Sequence, residues 1–331
     1  MEYSIGVDIS DKTYTCSCVD QQFNTIWYGK TFPQDDAGWQ RIPELITQHK
    51  IARDKLRGIV LENTGCYSEA FCHWFFHNGF SLYVEPPKQV KKALCEEKTD
   101  EIDSEGIAQY MFRYWDKLHP WQPPDEIIEQ IRILLKTYED MSRIESKSHN
   151  KLKSYQKKHH CYPGINQIYK DLKKQMGRQM RQVEKNLKTT IATHPHLKQK
   201  TQDVMALKYT GIIMTSHLLV ATNGYKDIHY PSLARYIGVY PLKFLSGTSV
   251  NHVAQSRGSG PKIIRKNLYA TAMRLIGHND DFKKYYKRKL AEGVKGKIVL
   301  NDVINRFLRI VCGVLHSGIP YTQGYRSVKP E

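Results

Sequence analysis

The 331 residues are 40% hydrophobic and 11% aromatic, which excludes global disorder and, at about 100 to 200 residues per domain, predicts two or three domains. Lys and Arg number 50 against 33 Asp and Glu, a net charge of +17 that small neutral substrates do not require and that points to a polyanionic partner. The charge is split: residues 1 to 120 hold 13 basic and 18 acidic side chains, and the rest of the chain holds 37 basic and 15 acidic. If the partner is a phosphate backbone, the basic part attracts it, whereas the acidic part repels it unless cations sit between.

In chain order, Tyr3 to Asp8, Thr13 to Val19 and Thr25 to Phe32 are β-rich runs separated by polar turns and predict a three-stranded meander. Trp39, Ile42, Leu45 and Ile46 at helical spacing predict a helix, followed by a strand Gly58-Ile59-Val60-Leu61 that runs into Glu62. A helix from Ser68 to His77 and a strand from Ser81 to Val84 complete a β-β-β-α-β-α-β order, that of an α/β domain of ribonuclease H and RuvC-like type. From Pro123 to His194 the pattern is helical and basic. Ile128, Ile131, Leu135 and Tyr138 form one stripe, and Ile165, Ile168, Leu172, Met176, Met180, Val183, Leu187 and Ile191 form another. Pro163-Gly164 between them predicts an antiparallel helical hairpin or coiled coil, used for dimerisation or packed on its own domain. Beyond His196 a mostly α region is expected, with helices near Met205 to Ala221, Ser232 to Ile237, Ile263 to Ile276, Asp281 to Ala291 and Ile298 to Leu315, and a Gly/Ser-rich loop over Ser246 to Gly260. The expected domains are therefore 1–120, 121–195 and 196–331.

The seven cysteines, Cys16, Cys18, Cys66, Cys72, Cys95, Cys161 and Cys312, are odd in number and scattered, which fits a reducing cytoplasm better than a secreted disulfide framework. With no run of ~18 apolar residues and no leader-like start, neither export nor membrane insertion is expected. Cys66, Cys72, His73 and His77 lie around an aromatic-rich helix and read as core packing rather than as a zinc site.

Two clusters carry chemistry. Asp8 and Glu62 close apolar strands, while Asp100 and Asp103 stand three apart at a helix start, where i,i+3 spacing puts them on one face. Four gathered carboxylates repel one another unless hard divalent ions, Mg²⁺ or Mn²⁺, occupy the gap and clamp the attacking and leaving oxygens of a phosphodiester. Taken singly, each carboxylate also reads as a turn former or helix cap. The second cluster is Leu245-Ser246-Gly247-Thr248-Ser249, followed by Arg257 and, on the next helix, Lys262, Arg265 and Lys266. Glycines let the backbone approach a phosphate, the cations balance its charge, and a serine hydroxyl is available for attack on phosphorus. A polar loop that binds phosphate without covalent chemistry is the plainer reading.

Together the clusters resemble the transposases of family one-ten of bacterial insertion sequences. The likeness rests on Ile5-Gly6-Val7-Asp8, Leu61-Glu62-Asn63-Thr64-Gly65, Lys98-Thr99-Asp100-Glu101-Ile102-Asp103, Gly238-Val239-Tyr240-Pro241, Ser246-Gly247-Thr248-Ser249, Arg265-Lys266-Asn267-Leu268-Tyr269, Gly293-Val294-Lys295-Gly296-Lys297 and Leu315-His316-Ser317-Gly318, in that order. The resemblance implies a RuvC-like domain with a metal-binding tetrad of Asp8, Glu62, Asp100 and Asp103, and a transposase domain whose nucleophile is Ser246, with Ser249 as the alternative. It further implies donor and target double-stranded DNA and a structured non-coding guide RNA as partners, a homodimer or dimer of dimers, and a bacterial, nucleoid-associated location. Arg257, Lys262, Arg265, Lys266 and Lys297 are the expected contacts to nucleic acid. Three alternatives stay open: a structure-specific endonuclease that uses metal-activated water, a related site-specific DNA invertase, and a non-catalytic nucleic-acid-binding protein.

Overall fold

The computed structural model describes residues 1–90, 100–207, 210–246, 250–256, 260–319 and 321, and divides the chain into two units, Met1–Pro124 and Asp125–Glu331. The first unit is built on a five-stranded sheet of β1 (Tyr3–Ile9), β2 (Thr13–Asp20), β3 (Thr25–Pro33), β4 (Leu56–Glu62) and β5 (Leu82–Glu85) in the order β3-β2-β1-β4-β5. The first three strands are antiparallel neighbours, and β4 and β5 run parallel to β1. This mixed sheet with helices between its strands is the α/β domain expected from the element order. Helices α1 (Asp36–Trp39), α2 (Arg41–Gln48) and α3 (Cys66–His77) come between strands, and α4 (Pro87–Val90) and α5 (Asp100–Tyr114) follow β5.

Alternation decides which residues face each side of this sheet. Ile5, Val7, Ile9, Ile59, Leu61 and Leu82 are buried on one side with Trp39, Ile42, Phe71 and Phe75 of the first three helices. On the opposite side Val60 and Tyr83 pack with Ile107, Tyr110 and Met111 of α5. Cys72 is buried in the first of these cores, whereas Cys66 is exposed. Among the described residues every cysteine is a free thiol.

In the second unit Asp125 caps a 31-residue helix α6 (Glu126–Gln156), its carboxylate accepting from the Ile127 amide at 3.2 Å. A turn over 157–164 leads into α7 (Ile165–Ala192), and the two helices pack along each other. Ile128, Ile131 and Leu135 of α6 and Val183, Leu187 and Ile191 of α7 share one core with all the helices that follow. Further along the pair, Ile144 midway along α6 and Ile168 in the first turn of α7 are exposed. After α8 (Pro195–Met205), α9 (Ile212–Ala221) and α10 (Tyr230–Ile237) comes a hairpin of β6 (Pro241–Ser246) and β7 (Val250–Ser256), then α11 (Lys262–His278), α12 (Asp280–Ala291) and α13 (Gly296–Ser317).

Two expectations are corrected. The single helix expected from Met205 to Ala221 is two: α8 ends at Met205, the Thr210 hydroxyl bonds the Leu207 carbonyl, and Gly211 adopts extended backbone before α9 begins at Ile212. The Gly/Ser-rich stretch from Ser246 is not all loop, since Val250–Ser256 pairs antiparallel with Pro241–Ser246. Among the described residues no helix is long and apolar enough to cross a membrane.

Candidate active site

The acidic residues of the first unit are placed by the sheet. Strands β1 and β4 are parallel with Val7 opposite Leu61, so Asp8 and Glu62, one residue further on, end adjacent strands. Alternation turns both toward the face that carries Gly6 and Val60, the face covered by α5. The contact there is close: a Cβ on Gly6 would lie 2.1 Å from the Ser104 carbonyl oxygen and 2.2 Å from the Ala108 nitrogen. Only glycine at this strand position lets the helix sit down on the sheet. The Ser104 hydroxyl, fully buried, bonds that of Ser17 on β2 at 2.8 Å and fixes the helix along its axis.

The direction of α5 follows from its other end, where Arg57 at the start of β4 stacks over Phe112 at 5.7 Å and over Trp115, just past the helix, at 4.4 Å. The helix therefore runs antiparallel to β1 and β4, and its first turn, with Asp100 and Asp103, lies toward the strand ends that carry Asp8 and Glu62. Asp8, Glu62 and Asp103 are half-buried. Asp100 opens the helix. Among the described residues no ion pair involves Glu62 or Asp103, and no three acidic, His or Cys side chains stand close enough together to hold a metal ion. What the fold supplies is a set of hard oxygen donors at one end of the sheet, the donor chemistry that Mg²⁺ or Mn²⁺ takes.

Sequence reasoning missed Glu85, which ends β5 directly opposite Glu62. It is buried, its carboxyl pushed up by burial and partly held down by His119 and by the Tyr110 hydroxyl that bonds it. The signal was present, because Leu82-Tyr83-Val84-Glu85 repeats the apolar-run-then-Glu pattern of Ile59-Val60-Leu61-Glu62.

In the second unit Ser246 is the last residue of β6 and pairs with Val250 across the hairpin. Ser249 and Arg257 lie outside the described residues. The expected basic contacts separate into two kinds. Arg265 donates to the carbonyls of Ile237 at 2.9 Å and Gly260 at 3.0 Å, tying the start of α11 to the end of α10. Gly260 has a φ of +100°, and a Cβ there would lie 2.0 Å from the Tyr236 carbonyl oxygen, so this tie depends on glycine. Lys262 and Lys266, by contrast, are exposed and line a concavity of about 520 Å³ with Glu139, Ser142, Arg143 and Ser146 of α6. Lys297 is exposed in the first turn of α13. Arg143 was not singled out in the sequence because it sits in an ordinary charged helix, paired with Asp140 at 3.3 Å.

The chain thus joins an acidic α/β unit to a basic helical one. Residues 5–161 match a family model described as Transposase, of the DEDD type of IS110 elements, and residues 202–287 match the model Transposase IS116/IS110/IS902 family. The chain thus carries IS110-family transposase domains. It is similar to the pilin gene-inverting proteins of Moraxella bovis and Moraxella lacunata, each 25% identical over 96% of this chain and 97% of the relative. A solved structure of T. thermophilus RuvC in complex with a Holliday junction substrate aligns with 37% of the chain and all of that protein at 12% identity, with a TM-score of 0.27, a likeness too loose to say anything of the fold or the chemistry.

Proposed function

We propose that the protein is a DNA recombinase of the insertion-sequence type, which breaks a phosphodiester through Ser246 with the help of the carboxylates Asp8, Glu62, Asp100 and Asp103. The observation that carries this reading is the convergence of Asp8, Glu62 and the first turn of α5 at one end of the sheet, within a chain whose two halves match transposase models. Asp8, Glu62, Asp100 and Asp103 would hold Mg²⁺ or Mn²⁺, and the bound ion supplies positive charge to the oxygens of the reacting phosphate. The Ser246 hydroxyl oxygen forms a bond to phosphorus and gives up its proton as the P–O3′ bond breaks. The departing 3′ oxygen takes a proton, leaving a phosphoserine ester on one strand end and a free 3′ hydroxyl on the other. Attack of a second strand's 3′ hydroxyl on that ester restores Ser246 and completes exchange without an external energy source.

Lys262, Lys266, Lys297 and Arg257 neutralise backbone phosphates, with Arg143 added beside the first two. A structured guide RNA that selects the DNA by base pairing, and a homodimer or dimer of dimers joined through the hairpin of α6 and α7, belong to the same reading. The exposed apolar residues Ile144, midway along α6, and Ile168, in the first turn of α7, support the second of these.

The test is to incubate the protein with Mg²⁺, the DNA of its own element and any RNA that co-purifies, then look for a protein–DNA adduct that survives denaturant. The adduct is expected in the wild type and absent from Ser246→Ala. Cleavage that persists in Ser246→Ala without an adduct would sink the serine and leave an endonuclease that uses water.

A further inference from the structure

We infer that the face of the second unit formed by α10, α12 and α13 is a binding surface for unpaired nucleotides of a single-stranded nucleic acid. The inference deepens the proposed function by naming where such a strand lies. Its physical basis is a chain of arginines seated on aromatic rings. The Arg235 guanidinium lies 4.8 Å from the centre of the Tyr240 ring, Tyr240 is 6.3 Å from Tyr230, and Arg309 covers Tyr230 at 4.6 Å. One turn back on α13, Arg306 lies 5.5 Å from the centre of Tyr285, which Arg288 also approaches at 5.5 Å.

The chain borders a concavity of about 500 Å³ lined by Pro241, Tyr285, Lys289, Asp302, Arg306 and Arg309, with Asn305 at its floor. That floor is rigid. Asn305 is buried, donates to the Val239 carbonyl at 2.9 Å and the Asn301 carbonyl at 2.9 Å, and accepts from the Tyr230 hydroxyl at 2.9 Å.

Three features favour an unpaired strand over a duplex. A guanidinium lying over a ring is oriented by it and can still offer a base its planar face and a phosphate some of its N–H groups, although Arg309 also hydrogen-bonds Tyr230 and Arg288 pairs with Glu292; a base buried in a duplex offers no face to it. Arg235, Arg288, Arg306 and Arg309 are all exposed, so their outer faces are open to solvent. The local charge is positive as well. Arg235, Arg288, Lys289, Arg306 and Arg309 stand against Asp302 and Glu292, the latter paired with Lys289 at 2.5 Å and with Arg288 at 3.6 Å. The Asp302 carboxyl is pushed up by burial, with Lys289 and Arg309 working against that. The location fits too. Pro241 lines the concavity and begins β6, so the strand leads from this surface to Ser246 over about 17 Å, a gap that a few nucleotides span.

The experiment measures equilibrium binding of the full chain, by fluorescence anisotropy in EDTA so that no cleavage intervenes, to a labelled single-stranded RNA, a single-stranded DNA and a duplex of the same sequence. The wild type is expected to bind at least one single strand more tightly than the duplex, and whether that strand is RNA or DNA names the source. Arg306→Lys/Arg309→Lys keeps the charge and removes the planes, and is expected to weaken single-strand binding roughly tenfold with duplex binding unchanged within about twofold. Equal affinity for duplex and single strands in the wild type, or a Lys variant that binds single strands as the wild type does, would overturn the inference. Because the readout needs neither Ser246 nor a metal ion, its failure leaves the strand-exchange reading standing, and failure of that reading leaves this one standing.

Discussion

In the first unit the acidic groups stand where the backbone puts them, at the ends of hydrogen-bonded parallel strands and on the opening turn of a helix pressed onto Gly6. In the second unit the cations stand on the outer faces of helices, and several are held by aromatic rings rather than by carboxylates. The contrast has a physical reason. Like charges must be gathered by a scaffold stiff enough to resist their repulsion, whereas cations that meet a long polyanion need only a common face, and stacking orients them without neutralising them.

The largest effect is expected at the strand ends. Asp8→Asn keeps the size of the side chain and removes its charge, and under the proposed function it lowers divalent-metal-dependent strand cleavage by roughly a thousandfold. The thermal melt and the binding of nucleic acid in EDTA should be unchanged. A variant that cleaves at the wild-type rate would mean that the strand ends do no chemistry.

Next in size is Gly6→Ala, which tests whether the carboxylates depend on close packing of α5. The added methyl group meets the Ser104 and Ala108 backbone, so either the helix lifts or the strand bends. Destabilisation of about 3 kcal/mol is expected in urea unfolding, together with a loss of cleavage. Full activity with full stability would show that the helix has room to move.

The sheet and its acidic ends were legible in the sequence because period-two alternation and strand-terminal carboxylates are local patterns. Glu85 carries the same local signal, an apolar run closed by Glu. The β6–β7 hairpin was not legible, since the Gly/Ser content around its turn reads as loop. Nor was the arginine–tyrosine surface, because its parts come together only where α13 packs on both α10 and α12. The opposite roles of Arg265 and Lys266 were equally hidden, since adjacent cations look alike until the carbonyls facing one of them are known.

Burial of an ionisable group in the basic unit gives a third test. His217 of α9 is buried, its Nε2 3.6 Å from a Glu139 oxygen and beyond hydrogen-bond reach, and burial lowers its pKa to about 4. The folded state therefore takes up its proton at lower pH than the unfolded chain. Its contribution to stability is complete above about pH 6.5 and falls as the pH drops from there toward 4, by about 2 kcal/mol at pH 5. Burial raises the Glu139 carboxyl, and that group works in the opposite direction over the same range. His217→Gln should flatten the acid limb of the second unit's stability curve, and an unchanged limb would show that His217 is not what titrates.

The smallest effects come from two neighbouring cations and separate structure from binding within one turn of α11. Arg265→Ala breaks the bonds to the Ile237 and Gly260 carbonyls and is expected to lower stability by about 1 kcal/mol. Lys266→Ala removes an exposed side chain from the wall of the concavity shared with α6, so stability should stay within about 0.5 kcal/mol. Its effect appears in the salt dependence of duplex binding, where one lost phosphate contact reduces the slope of log K against log salt by about 0.9. Binding measured at several salt concentrations checks this. A slope unchanged in Lys266→Ala would mean that Lys266 meets no phosphate, and that the excess charge of the second unit acts elsewhere, at Lys297 or at the arginines of α10, α12 and α13.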